Sequence, residues 1–403
     1  MLMLSEYAPE RSEPMTVFKA RKGLEELEEY SVEHIDADII VNANECNWGL
    51  PTSVQTEIAE AAKEFVFNRY PPMKAEKLCQ LIAADFGMPE ENVQVGNGSS
   101  ELLQMACYAF GGSGRKIAFP YPSFSMYGVY TKLSDSKPLP YSLNEDGYID
   151  AEAVIAFCRL EKPALLIVCN PNNPTGNYNS LWQMEKILAN VDCPVIMDEA
   201  YMEFAGGYDA GFAGSTMTLL SKYENFICLR TFSKAYGLAS MRVGYGVGSR
   251  DLMRILGKVL LPYHVNAFSL LTAEIVYKHK QLFVERTNRI IAEREKMGNA
   301  LTELGFKVWD SATNFLMFTA QPELAAKLSE FGKSEGLATE KGAAVKLAGQ
   351  TVFRFLANKK ILARDFTRNQ ALEGGIRLTL GTPEENVIIL GAIKELCEKA
   401  GGI

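Results

Sequence analysis

Short, unbroken apolar runs that end on polar or turn residues alternate with amphipathic stretches from about Glu91 to Gly248. That alternation predicts a mostly parallel sheet covered by helices, because a strand buried on both faces loses the polar-out pattern of a half-exposed one. Lys116–Phe119, Ala164–Asn170, Val195–Asp198, Phe226–Arg230 and Gly244–Val247 are the expected strands. Ser100–Phe110, Leu181–Ala189 and Asp251–Leu260 are the expected helices. Asn170, Asp198 and Arg230 each close an apolar run, and in such a sheet the ligand crevice lies beyond the carboxyl ends of the strands. From about Leu282 to Leu304 the pattern becomes long and helical, rich in Glu, Arg and Lys, as suits a helix joining two domains. Phe315–Phe318, Lys360–Arg364 and Ile376–Thr379 then read as strands of a smaller unit that also recruits the N-terminal segment, with turns at Gly111–Gly114 and Gly374–Gly375. The expected division is a large domain over 52–285 and a small α+β unit built from 1–51 and 286–403.

Composition narrows the class. A chain of 403 residues exceeds the usual single-domain size, and 47% hydrophobic with 22% charged residues is the balance of a globular protein with a sizeable core. A net charge of -8 argues against nucleic acid or an anionic membrane as partner, so any anionic substrate must be met by local arginines. The eight cysteines form no C-x-x-C pair and sit mostly in apolar runs, which reads as reduced core residues of a cytoplasmic protein. With three histidines in the chain, a histidine-rich metal site is not expected. Met1–Glu10 lacks the basic region of a signal peptide, and no apolar run reaches the length needed to cross a bilayer.

Candidate chemistry centres on Thr231–Arg242, where Lys234 stands among small and aromatic residues and Arg242 follows eight positions later. Desolvation favours the neutral amine, the form that attacks a carbonyl carbon to make a Schiff base. Ser233 and Arg242 can hold a phosphate, and an aldehyde that also carries a phosphate is pyridoxal 5'-phosphate. The alternative is a buried lysine paired with a carboxylate. Asp198, at the end of its strand, can keep a pyridine nitrogen protonated, or it can simply cap a helix. Asn170–Gly176 is a turn stiffened by two prolines and a glycine; an amide from Asn173 and the phenol of Tyr201 can both bond a ring oxygen. Gly98, Ser99 and Ser100 precede an apolar helical run, where backbone amides form an anion site or serine is a plain N-cap. Phe124 is a candidate to stack on the ring, though a lone aromatic also serves a core. Arg377, flanked by apolar residues, suits bidentate capture of a carboxylate; Arg364 does too, or it pairs with Asp365.

With these motifs in order, the chain resembles the fold-type I, class I/II pyridoxal-phosphate aminotransferases, and within them the histidinol-phosphate aminotransferase group. The resemblance runs from about Asn42 to Glu385 and rests on Asn42-Ala43-Asn44-Glu45, Asn68-Arg69-Tyr70-Pro71, Asn170–Gly176, Asp198-Glu199-Ala200-Tyr201, Ser233-Lys234, Arg242 and Arg377–Thr382. It implies an α/β fold with a large cofactor-binding domain, a smaller α+β domain, and pyridoxal 5'-phosphate as cofactor. It further implies that Lys234 is the Schiff-base lysine and proton shuttle, Asp198 holds the pyridine nitrogen, and Tyr201 and Asn173 hold the ring oxygen. Ser99, Ser100, Ser233 and Arg242 match phosphate-binding positions, Phe124 the stacking position, Arg377 the carboxylate arginine, and Arg364 an arginine at the phosphate end of the substrate. Tyr70 matches a tyrosine given to the neighbouring subunit's phosphate, which implies a homodimer with shared sites.

Three features depart from that pattern: Cys46, the stretch Thr16–Lys19 without a Pro-Tyr pair, and an apparent insertion over Gln321–Thr351. All three touch substrate contacts and leave the cofactor set whole. The expected activity is transfer of an amino group from a small-molecule donor, L-histidinol phosphate first, to a 2-oxo acid acceptor, 2-oxoglutarate. Alternatives are an aromatic or other amino-acid aminotransferase, a threonine-phosphate decarboxylase, and a regulator that binds the cofactor without turnover. The last needs a basic DNA-binding domain for which this acidic chain has no room before Asn42.

Overall fold

All five side chains of Leu165–Cys169 are buried, as a strand covered on both faces requires. Leu166 and Val168 enter one apolar cluster while Leu165, Ile167 and Cys169 enter another, the period-2 alternation of a pleated strand. This strand lies inside a seven-stranded sheet in the order Val93–Asn97, Val243–Gly248, Phe226–Thr231, Val195–Asp198, Leu165–Cys169, Lys116–Tyr121 and Lys137–Ser142. All run parallel except Val243–Gly248, which is antiparallel to both neighbours. The computed structural model that shows this describes residues 21, 23, 24, 27, 36–206 and 213–401. Thr16–Lys19 and the first ten residues lie outside them.

The five expected strands are all present, Val195–Asp198 with the expected bounds and the other four with ends moved by one or two residues. The two edges carry no continuous apolar run: Lys137–Ser142 holds two prolines, which only an edge strand tolerates, and Val93–Asn97 holds Gln94 and Gly96. Of the helices, Ser99–Phe110 and Leu181–Asn190 match closely, but the expected Asp251–Leu260 ends early, as Arg250–Leu256, because Gly257 is a poor helix former. Ser180 and Gln183 make a reciprocal capping box that starts Leu181–Asn190.

A second, antiparallel sheet has the order Arg364–Phe366, Gly375–Thr379, Phe315–Ala320 and Phe306–Val308. The expected strand Lys360–Arg364 is in fact two: Ile361–Leu362 pairs in parallel with Ile39–Ile40, while Arg364 opens a strand of the four-stranded sheet. Gly374 lies in the expected turn, with a left-handed backbone at φ 74°, but Gly375 already belongs to the strand. The helices Val284–Glu303, Pro322–Ser334, Ala344–Asn358 and Pro383–Lys399 bury Met297, Leu328, Val352 and Ile393 in one apolar cluster with Phe315 and Phe318 of this sheet. Two of these helices fill most of Gln321–Thr351.

Two connections bear on the site. The Val41 amide donates to the Leu362 carbonyl (2.9 Å), and the Thr379 amide to the Val41 carbonyl (3.0 Å), which ties the segment before Asn42 to the small sheet. Buried Arg286, on the long helix, donates to the Ala235 carbonyl (2.5 Å) and the Gly49 carbonyl (3.2 Å), fixing the loop that carries Lys234.

Candidate active site

The carboxyl ends of Lys116–Tyr121, Leu165–Cys169, Val195–Asp198 and Phe226–Thr231 open into a cleft of about 650 Å³, closed on its other side by Asn42–Glu45, Arg364, Phe366 and Arg377. Every expected site residue except Gly98 and Tyr70 lines it. A larger cavity, about 790 Å³, lies between Asp85–Pro89 and Met217–Ser221; its ionisable side chains, Asp85 and Lys280, are spent on each other. The candidate residues gather in the cleft, not in that cavity.

Lys234 follows the strand Phe226–Thr231, and its Nζ donates to the Ala43 carbonyl at 3.0 Å and stands 5.8 Å from the Tyr201 ring centre. Burial, and then the Arg377 guanidinium, pull its ammonium down to about 7, with Glu45 opposing and Arg242 assisting. Among the described residues no carboxylate pairs with it, so the alternative of a structural lysine–carboxylate pair is not what the structure shows. Glu199 and Glu203, the buried acids that follow Asp198 in the chain, are taken by buried Arg230, at 2.9 and 3.0 Å.

Asp198 ends its strand and is buried; its Oδ2 accepts from the Tyr127 hydroxyl (2.8 Å) and its Oδ1 from the Ala200 amide (3.3 Å). Burial pushes its carboxyl upward against those two hydrogen bonds. A cation brought to the cleft floor relieves that burial cost. Tyr201 is buried too, its phenol pushed up to about 12 by burial, so it keeps its proton at neutral pH. Its oxygen accepts from Asn44 Nδ2 at 2.9 Å, and its ring packs edge-on to Phe315.

At one end the cleft forms an anion cradle. Ser99 and Ser100 open the helix Ser99–Phe110, whose first amides have no partner within the helix. Arg242 Nη1 donates to Ser233 Oγ (3.3 Å) and the Ala239 carbonyl (3.1 Å). The packing leaves no room for side chains here: a Cβ on Gly98, at φ 76°, would lie 2.6 Å from Arg242 Nη2, and one on Gly244 would overlap the Ser99 amide nitrogen. An amine with a lowered pKa, a buried carboxylate and this cradle are the donor set that an aldehyde-bearing heteroaromatic phosphate requires, and the residues fit such a cofactor. Phe124 lines the wall edge-on to Tyr127, ring centres 5.5 Å apart.

At the other end Arg377 Nη1 donates to Asn173 Oδ1 and Nη2 to the Asn42 carbonyl, both at 2.6 Å. Because arginine only donates, the Asn173 amide nitrogen is turned away from it. Arg364 stands directly opposite Arg377 across the antiparallel pair. Asp365 accepts from the Thr367 amide (2.7 Å), and among the described residues no ion pair joins it to Arg364. Tyr70 lies outside the cleft, 80% exposed and stacked on Tyr263 with ring centres 4.6 Å apart.

Two residues at the site had no assigned role in the sequence reading. Tyr127 sits in the first turn of Met126–Leu133, and only the fold brings it to Asp198. Asn44 sat inside a recognised motif, yet its partner Tyr201 is 157 positions away.

The family model for aminotransferase class I and II matches residues 38–393. The chain is 34% identical over 377 residues to the histidinol-phosphate aminotransferase of Thermoanaerobacter pseudethanolicus, covering 93% of this chain and 98% of that one. Among solved structures, the histidinol-phosphate aminotransferase of Sinorhizobium meliloti, in complex with pyridoxal-5'-phosphate, superposes with a TM-score of 0.80 at 21% identity, covering 96% of this chain and 99% of that chain. The L-threonine-O-3-phosphate decarboxylase of Porphyromonas gingivalis superposes with a TM-score of 0.71 at 21% identity, covering 89% and 99%. At those identities the two structures speak for the fold.

Proposed function

The chain belongs to the class I and II aminotransferases, and from that premise we propose that this pyridoxal-phosphate-dependent transaminase moves the amino group of L-histidinol phosphate to 2-oxoglutarate, as a cytoplasmic homodimer. The observation that carries the choice of substrates is the cross-strand pair Arg364–Arg377 facing one cleft. Like charges directly opposite each other on a sheet are destabilising. Two negative charges placed against the pair reverse the sign, and both proposed substrates supply them, L-histidinol phosphate through its one phosphate group, which is dianionic beside the donor ammonium, and 2-oxoglutarate through two carboxylates.

When bound, pyridoxal 5'-phosphate supplies an aldehyde that captures amines and a ring that accepts electrons. Ser99, Ser100, Ser233 and Arg242, with Gly98 keeping space behind the guanidinium, hold the phosphate, and Phe124 supports the ring face. Asp198, oriented by Tyr127, holds the proton on the ring nitrogen, while Tyr201 and the amide nitrogen of Asn173 face the ring oxygen. Lys234, whose affinity for a proton is lowered by burial and by Arg377, would take the donor's α-proton on Nζ and give it up again from the same atom. Arg377 and Arg364 together grip the single phosphate of L-histidinol phosphate, and with 2-oxoglutarate Arg377 orients the near carboxylate and Arg364 the far one. The large domain over 52–285 carries the cofactor residues, and 1–51 with 286–403 carry the arginines. Tyr70 serves the neighbouring subunit.

The test is a donor panel on the yellow holoenzyme, following loss of visible absorbance. L-histidinol phosphate is expected to react fastest. Faster reaction with phenylalanine or tyrosine would transfer the assignment to an aromatic aminotransferase, and carbon dioxide release from threonine phosphate to a decarboxylase.

A further inference from the structure

Asn44 is 1% exposed and holds a left-handed backbone, φ 54°, where the N-terminal segment bonds both to Thr379 of the four-stranded sheet and to Tyr201, three residues past the strand Val195–Asp198. Its contacts fix which way its amide faces. The Asn44 backbone N–H donates to Thr379 Oγ1 (3.0 Å), so the Thr379 hydroxyl proton is free for Asn44 Oδ1, 3.3 Å away. The amide oxygen is thus on the Thr379 side, and Nδ2 donates to the Tyr201 hydroxyl oxygen at 2.9 Å. Asn314 Nδ2 holds the Asn44 carbonyl at 3.1 Å and stops the segment from rotating. A phenol that accepts from an amide still has its own proton to give, and the amide cannot take it.

We infer that Asn44 is a positioning residue that sets the polarity of Tyr201: by donating to the phenol oxygen, it forces the Tyr201 proton outward as a donor to the cleft. This rests on the cofactor reading given above, in which Tyr201 faces the ring oxygen. A hydrogen bond donated to that oxygen withdraws electron density from the chromophore and lowers the pH at which its absorbance converts between the protonated and unprotonated forms. The small sheet therefore tunes the cofactor through one amide. The charged and titratable neighbours of Tyr201, namely Arg377, Lys234, Asp198 and Cys169, are the same in every variant below.

The experiment is a spectrophotometric pH titration of the holoenzyme. Asn44→Asp keeps the size and tolerates the left-handed backbone but replaces the donor with an acceptor, which draws the Tyr201 proton away from the cleft. The conversion midpoint is expected to rise by about one pH unit, the size of one charge-assisted hydrogen bond lost. Tyr201→Phe should raise it by a similar amount, and Asn44→Asp/Tyr201→Phe should rise no further than Tyr201→Phe alone. Asn44→Gly, which suits φ 54° and lacks the amide, should show a smaller rise with folding intact. An unchanged midpoint in folded Asn44→Asp overturns the inference. So does a rise from Asn44→Asp that persists undiminished when Tyr201→Phe is already present, since that would be the aspartate's charge acting directly. If the wild-type protein takes up no chromophore, the cofactor reading itself has failed, which is a different result.

Discussion

Lys234 and Arg377 act on each other before any substrate arrives. The guanidinium is the largest influence on the lysine after burial, and both lower its affinity for a proton, to a pKa of about 7. The sign is therefore that of a depressed base: the amine is charged below about pH 7 and neutral above it. The rate at which cofactor-free protein takes up pyridoxal phosphate, read as growth of the visible band, should rise with pH through a midpoint near 7; a midpoint near the ordinary lysine value would contradict the geometry. Arg377→Ala should move that midpoint upward and also weaken donor binding about ten- to a hundred-fold, as expected for a lost charge-assisted hydrogen bond, seen in KM rather than in folding. Both residues were legible in the sequence because their signals are local: a lysine beside a serine after an apolar run, an arginine between apolar neighbours. Asn44 and Tyr127 were not, because their roles exist only once Tyr201 and Asp198 arrive from distant strands.

Elements decide where those residues stand. Interior strands announced themselves as continuous apolar runs, whereas the edges Lys137–Ser142 and Val93–Asn97 did not, since an edge has one neighbour fewer and tolerates proline and polar residues. Lys360–Arg364 looked like one strand because nothing in its own residues says that Ile361 will pair with Ile39 and Arg364 with Arg377. The strand Val243–Gly248 shows how an element shapes the site without touching a ligand: Gly244 lies against the amide end of Ser99–Phe110, where a methyl group would overlap the Ser99 nitrogen. Gly244→Ala should push that helix end away, costing about 1–3 kcal/mol of stability and loosening cofactor retention on dialysis. Gly391→Ala is the contrast. It lies in Pro383–Lys399 with nothing within 4 Å of the added methyl, so it should stabilise by about 0.5–1 kcal/mol and leave the cofactor alone. Equal effects from the two would remove the case for a built cradle.

For the whole molecule, the position of Tyr70 is the feature a single chain does not explain. It is 80% exposed, beside Phe67 at 79% and Val66 at 58%, and it stacks on Tyr263 next to Leu261 at 68%. A run of exposed apolar side chains of this kind marks a contact surface rather than a solvated one. The motif Asn68–Pro71 belongs to the cofactor set by resemblance, yet its tyrosine does not line the cleft of its own chain. Both facts are met if a second copy covers this surface and receives Tyr70 at its own cradle, since a two-fold interface gives each site the other's residue. The arrangement has a test that geometry within one chain cannot pass. Lys234→Ala and Tyr70→Ala proteins, each nearly inactive, are unfolded together and refolded as a mixture. If Tyr70 works across the interface, a mixed dimer has one site with both defects and one with neither, and activity should return well above that of either parent. If Tyr70 works within its own chain, each site of the mixed dimer keeps one defect, and the mixture stays as inactive as its parts.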